Sequence, residues 1–220
     1  MDPIITTPRL KLIRLTKAER ESPEFEWLHR LHSNEKSMFW MLGGTSDSVE
    51  KTEALISNYL PADEEARGSY RAVYTVHRID DDPSEFIGIV TICPLDSTSL
   101  PLPESLTIPA TEAATTLTVE VAYSYLPAGW GKGYATESIN AVFEGCRRAR
   151  SFWLLFTKLY VRAIVNHENW PSLRVMEKTG MVKRGVHEWR GKAVFVGGRW
   201  REQDTICIFG QHLFGGADDI

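Results

Sequence analysis

"YLPAGWGKGYATES", residues 125–138, joins two different periodicities. Before it, "LTVEVAYSYL" (117–126) alternates in the manner of a strand. After it, Ala135, Ile139, Val142, Phe143 and Cys146 recur at the spacing of one helix face. Gly129, Gly131 and Gly133 lie at the junction, although glycine is a poor helix former. Two reasons for them stand open. Glycines make tight turns. They also let backbone amides approach a bound phosphate, which the free N–H groups and dipole of a helix N-terminus favour. Lys132 adds one mobile positive charge.

Two familiar phosphate loops fail on spacing. The dinucleotide fingerprint G-x-G-x-x-G requires a small residue at 134 or 136, where Tyr134 and Thr136 stand. The P-loop requires Ser or Thr after Gly-Lys and a glycine five residues before the lysine; Gly133 and Pro127 occupy those positions.

Outward from the junction, the chain reads as a mixed α/β (α+β) sheet in one domain spanning 1–220. "RLKLIRL" (9–15) is a first strand, and helices are expected over 17–33 and 46–60. "YRAVYTVHRI" and "EFIGIVTIC" flank the turn "DDDPS", and "KLYVRAIV" (158–165) is a further strand. A short helix over 170–179 follows, with Gly180 placed to end it. The C-terminal segment forms strands around a hairpin whose tightest turn signal is Gly197–Gly198. Residues 95–115, rich in Ser, Thr and Pro, make one long loop, of a length that usually serves a function.

Composition bounds the function classes. With 43% hydrophobic and 25% charged residues, the 220-residue chain can bury one ordinary core. A formal charge of −4 argues against a protein that coats nucleic acid, though not against a local pocket for one phosphorylated ligand. Cys93, Cys146 and Cys207 are far apart, odd in number and set in apolar surroundings, the pattern of buried free thiols in a reducing compartment. No metal site is expected. The N-terminus lacks the pattern of a secretory signal, and no apolar run is long enough to cross a membrane. A soluble cytoplasmic protein is expected, with the nucleus also open.

"WGKGYATES" and, thirty residues on, "NHENWPSLRVMEKTGM" together resemble the GNAT N-acetyltransferase superfamily. The likeness is closest to the branch that includes the ribosomal-protein N-terminal acetyltransferases. The superfamily pattern of Gln or Arg, two residues, Gly, one residue, then Gly or Ala is read here as Trp130–Gly131–Lys132–Gly133–Tyr134–Ala135, with Trp130 the departure. "N-x-x-S-x-R-V-x-E-K-x-G" (Asn169 to Gly180) follows the branch, with Met181 in place of the usual Phe. "TTPRLKLIRL" and "GGRWREQD" are similar to its first strand and last hairpin. The loop at 95–115 has no counterpart and reads as an insertion.

The resemblance implies a mostly antiparallel sheet with a splayed central strand pair, flanked by helices. It also implies transfer of an acetyl group from acetyl-CoA, used as cosubstrate, to an amine. Trp130, Gly131, Lys132, Gly133, Tyr134, Ala135 and Thr136 would bind the pyrophosphate. Tyr125 would offer its backbone N–H to the acetyl carbonyl, and Asn169 would contact the pantetheine arm. Glu120 lies on one face of its strand with Ala122 and Ser124, opposite Val119, Val121, Tyr123 and Tyr125. A carboxylate in so apolar a strand must be paired or face a cleft. The branch makes Glu120 a candidate general base acting through water; a salt bridge is the structural alternative. Met176 occupies the position where many members place a proton-donating tyrosine, and the branch pattern implies Ser172 as its substitute. Ser172 and Asn169 could equally cap the short helix.

An α-amino group has a pKa near ~8 and a lysine amine near ~10.4, so deprotonating lysine costs roughly 3 kcal/mol more at neutral pH. One carboxylate therefore favours a protein N-terminus, with small-molecule amines open. "MFWML" (38–42) is expected in the core or along the acceptor site. Trp189 and Trp200 are expected either to line that site or to pack, and His29 and His32 to lie on a solvated face. The expected partners are acetyl-CoA and an amine, with no nucleic acid or membrane; the chain is expected as monomer or homodimer. The competing reading is an acyl-CoA-binding module without turnover.

Overall fold

The computed structural model describes residues 1–60, 70–80 and 84–216. Among these residues eight strands form one sheet in the spatial order β1-β2-β3-β4-β5-β6-β8-β7. They are β1 (Ile4–Thr6), β2 (Leu10–Leu15), β3 (Ala72–Arg78), β4 (Glu85–Pro94), β5 (Thr116–Tyr125), β6 (Lys158–Asn166), β7 (Val182–Val196) and β8 (Arg199–Phe214). Neighbours are antiparallel except the central pair β5–β6. This is the mixed, mostly antiparallel sheet expected from the sequence. The short β1 precedes the expected first strand and has too few residues to show alternation. The turn at 80–84 falls partly outside the described residues, at 81–83.

Helices cover both faces. On one lie α1 (Pro23–His32), α2 (Glu35–Met38) and α3 (Val49–Ser57). A four-residue helix, α4 (Ala110–Ala113), sits within the 95–115 loop. On the other face lie α5 (Tyr134–Arg148) and α6 (Trp170–Lys178). The main core lies between the sheet and α5, where Ile139, Val142, Phe143 and Cys146 meet Tyr74, Ile87, Val119 and Phe209. Each such large side chain contributes about 1.5–3 kcal/mol on burial. A second cluster packs Phe25, Leu28 and Leu31 of α1 on Val73, Phe86 and Ile89.

Caps explain why two helices are shorter than the periodicity suggested. Ser22 accepts from the Phe25 amide and Pro23 occupies the first turn, so α1 starts there rather than at 17. Ser48 accepts from the Lys51 amide and opens α3. Gly180, at φ +77°, closes α6: its amide bonds Glu177 O while the Met181 amide reaches Met176 O. Gly197 and Gly198, both at positive φ, turn β7 into β8.

Three side-chain expectations are corrected or narrowed. Within "MFWML" the core alternative holds for Met38 alone; Phe39, Met41 and Leu42 are exposed, because α2 ends and the chain turns outward, which leaves the acceptor-site alternative open for them. The His29–His32 face is packed against α3 rather than solvated. His29 Nδ1 lies 2.7 Å from Thr52 Oγ1, and His32 is buried, which lowers its pKa to about 4. All three cysteines are free, but Cys93 is only partly covered.

Candidate active site

The central strands part at a definite residue. The β5–β6 register runs from Thr116↔Lys158 to Glu120↔Arg162 and stops there. β5 continues along β4 as far as Tyr125↔Gly88, and β6 continues along β8 as far as Asn166↔Ile206. Each strand thus follows its outer neighbour, and a wedge opens between 121–125 and 163–166. Gly88 permits part of this, because a Cβ there would run into the Ser124 carbonyl oxygen. The Leu126 amide donates to Ile87 O at 2.8 Å. Alternate amides of a strand face the same neighbour, so those of Ser124 and Ala122 also face β4, and those of Val121, Tyr123 and Tyr125 face the wedge.

The glycine junction stands at the end of β5. A 3-10 turn over Pro127–Gly129 leads into the loop, where Gly131 (φ +71°) and Gly133 (φ +80°) adopt the left-handed conformation that favours glycine. Gly133 is the N-cap of α5, which has no side-chain cap. The amides of Tyr134, Ala135 and Thr136 are therefore first-turn orphans. Among the described residues no acceptor takes the amides of Gly131, Lys132 or Gly133 either, and those three residues are exposed. The Trp130 indole N–H bonds Tyr125 O at 2.8 Å, which ties the loop to the strand. These donors, with the helix dipole, suit a diphosphate.

Glu120 sits where the strands part, and its carboxylate accepts from Arg162 Nε at 2.9 Å. The Arg162 side chain is only 6% exposed, while that of Glu120 is 36% exposed. Arg162 Nη2 also reaches Leu100 O of the 95–115 loop at 3.4 Å. The sequence thus left open a choice between pairing and facing a cleft, and both features occur in one side chain.

Tyr123 and Tyr125 point to the opposite face. Tyr125 Oη meets Ser138 Oγ of α5, and burial raises its pKa. Tyr123 Oη lies 2.7 Å from Ser172 Oγ of α6, and burial pushes the phenol up to about 12. Asn169 Oδ1 accepts from the Ser172 amide and caps α6. Met176 is fully buried beneath that helix. The wedge therefore brings together Tyr123, Tyr125, Ser172 and Asn169 on one face. It leaves Glu120 on the other, with Ser124, whose hydroxyl donates to Ser37 O of the helical segment after α1.

Four polar residues of this region were not singled out from sequence. Tyr123 and Arg162 depend on strand register, which alternation does not reveal. Arg9 and Glu137 meet across the fold: Arg9 Nε bonds Glu137 Oε2 at 2.7 Å and Arg9 Nη1 bonds Lys132 O at 2.9 Å. Among the described residues no cluster of His, Cys, Asp and Glu is arranged to hold a metal ion. In that set no helix is long and apolar enough to cross a membrane.

Among the described residues the sheet is split at its one parallel pair, with an uncapped glycine-led helix beside the split, a fold class with a cleft for a phosphorylated ligand. The family model described as "Acetyltransferase (GNAT) domain" matches residues 9–182, and the chain belongs to that family of acetyltransferases. Solved structures agree in fold. A GNAT-family acetyltransferase from Bacillus anthracis superposes with a TM-score of 0.61 at 19% identity, covering 96% of this chain and 98% of that one. Ribosomal-protein-S5-alanine acetyltransferase from Vibrio fischeri gives 0.62 at 16% identity, covering 96% of each chain. Spermidine N-acetyltransferase from Vibrio cholerae, solved with CoA and spermine, gives 0.57 at 19% identity, covering 94% and 97%. Among curated proteins none matches the sequence.

Proposed function

We propose that this protein transfers an acetyl group from acetyl-CoA directly to a primary amine, and that a protein N-terminal amine is the favoured acceptor. The observation that carries this reading is the row of unpaired amides from Gly131 to Thr136 beside a wedge into which the Tyr123 and Tyr125 amides also point. Acetyl-CoA supplies the thioester. Gly131, Lys132, Gly133, Tyr134, Ala135 and Thr136 hold its pyrophosphate, with Trp130 fixing the loop. Asn169 orients the pantetheine arm while capping α6. The Tyr125 amide stabilises the oxyanion formed when the amine attacks. Ser172, bonded to Tyr123, donates a hydrogen bond to the departing thiolate. With thiols near ~8.5, that leaving group needs little help at neutral pH.

Glu120 accepts the amine's proton through water. Its partner Arg162 fixes its position and neutralises it at rest, an arrangement suited to an amine that deprotonates easily, as an α-amine does. The same pairing speaks against a polyamine acceptor. Glu168 is held by Arg199 and Arg201, and Asp204 by Arg201, so these two carboxylates already have cations.

Thiol release from acetyl-CoA tests the reading, using N-terminal Ser and Ala peptides, internal-lysine peptides, polyamines and aminoglycosides. Release with the N-terminal peptides alone is expected, with Glu120→Gln lowering kcat by about 10²–10⁴-fold. Release with polyamines alone would reverse the acceptor assignment. Full turnover by Glu120→Gln would remove the base. Acetyl-CoA binding without release from any amine would leave a binding module.

A further inference from the structure

The loop that would carry the pyrophosphate is held from outside by a residue distant in sequence. Arg9 stands just before β2, and its guanidinium contacts two acceptors at once. Nε and Nη2 both reach Glu137 Oε2, at 2.7 and 2.5 Å, and Nη1 donates to Lys132 O at 2.9 Å. The Arg9 backbone amide bonds Glu137 Oε1 at 3.2 Å, and the Thr7 hydroxyl donates to the same oxygen at 2.6 Å. The guanidinium also lies over the Tyr134 ring, 4.8 Å from its centroid. A Cβ added to Gly133 would come 3.5 Å from Arg9 Nη2, so the arginine borders the loop directly.

Peptide planarity gives this contact a direction. In a trans peptide the carbonyl of one residue and the amide of the next point opposite ways. Holding the Lys132 carbonyl toward Arg9 therefore turns the Gly133 N–H away from Arg9, toward the exposed side where α5 begins. We infer that Arg9 is the positioning residue of the phosphate loop: it fixes the Lys132–Gly133 peptide so that the Gly133 amide meets the diphosphate, while Glu137 holds Arg9 in place. This rests on the proposed pyrophosphate role of residues 131–136. Lysine would substitute only in part, because a point charge cannot reach both acceptors with the planar fork that arginine offers.

The two functions of such a residue, aiming the loop and bracing the fold, separate with a donor that lacks the diphosphate. Binding of acetyl-CoA to the full chain is measured by calorimetry, and kcat/KM is measured with acetyl-CoA and with S-acetylpantetheine, for wild type, Arg9→Met, Arg9→Lys and Glu137→Gln. For Arg9→Met, acetyl-CoA affinity and kcat/KM are expected to fall about tenfold or more. Turnover of S-acetylpantetheine stays within about twofold of wild type. Arg9→Lys and Glu137→Gln, each keeping part of the array, should fall between, and they carry the test if Arg9→Met does not fold. Equal losses with both donors would make Arg9 a brace and overturn the inference, as would unchanged acetyl-CoA affinity. Wild type with the same kcat/KM for acetyl-CoA and S-acetylpantetheine would instead overturn the phosphate-loop reading itself, and the inference with it.

Discussion

Glu137 and Glu120 both face an arginine, with different consequences. Glu137 belongs to the support of the loop. Burial works to raise its pKa, but hydrogen bonds from Thr7 and Arg9 outweigh that, and its carboxyl lies below the ordinary glutamate value of 4.5. A carboxyl depressed by folding stabilises the protein above its unfolded pKa and loses that contribution as pH falls through the folded value. Urea denaturation at a series of pH values should therefore show wild type more stable than Glu137→Gln at neutral pH. The difference should shrink once pH drops below about 4.5. A difference that persists unchanged into acid would mean that packing, not charge, distinguishes the two. Glu120, by contrast, keeps part of its surface open beside the wedge, and its arginine is the buried partner. One carboxylate thus supports the fold and the other keeps an open side at the point where the strands part.

At the level of elements, the strand–glycine–helix junction was legible because its chemistry is local. Positive φ, a missing cap and a change of period all leave marks within ten residues, and so did Gly180 and the Gly197–Gly198 turn. The wedge was not legible. It arises from β5 and β6 each following an outer neighbour, which is a matter of register between segments some forty residues apart. For the same reason Glu120 could be placed on a face but not matched to Arg162, and Ser172 could be named but not joined to Tyr123. The exposed apolar residues after Met38 could not be assigned between core and acceptor site, because an apolar run carries no sign of which way the chain turns. Gly88 offers a test of how the wedge is held open. A Cβ there would meet the Ser124 carbonyl and the Tyr125 ring, so β4 and β5 would have to separate. Gly88→Ala is expected to cost roughly 1–3 kcal/mol. That is a drop of several degrees in Tm for a chain of this size. Turnover should fall with it, because the Tyr125 amide moves. A variant with unchanged Tm and kcat would show that the two strands tolerate the separation and that Gly88 does not set the wedge.

Over the whole molecule, the Glu120 face of the wedge is bordered by segments from opposite ends of the chain. On the face of Glu120, the tip of the β7–β8 hairpin reaches back to the segment after α2: the Gly197 amide donates to Phe39 O at 2.7 Å, and Trp200 stacks edgewise on Phe195 while remaining 71% exposed. The 95–115 loop supplies a further wall. Leu100 O meets Arg162, Leu106 packs on Gly185 of β7, and Glu112 pairs with Lys158 at 2.6 Å. None of these contacts involves residues 130–136, which lie beyond the opposite end of β5. The loop should therefore bear on the acceptor and not on acetyl-CoA. Replacing residues 97–113 with a short glycine–serine link should leave acetyl-CoA affinity within about twofold, since the phosphate loop keeps its supports. Loop-closure entropy is only weakly changed by such a replacement. With Arg162 released from Leu100 and the wall removed, KM for an N-terminal peptide should rise about tenfold, the equivalent of roughly 1.4 kcal/mol. Calorimetry with acetyl-CoA and steady-state kinetics with the peptide check the two halves separately. Loss of acetyl-CoA binding would show that the loop is needed for the core. An unchanged peptide KM would place the acceptor entirely between Glu120, the hairpin tip and the segment after α2.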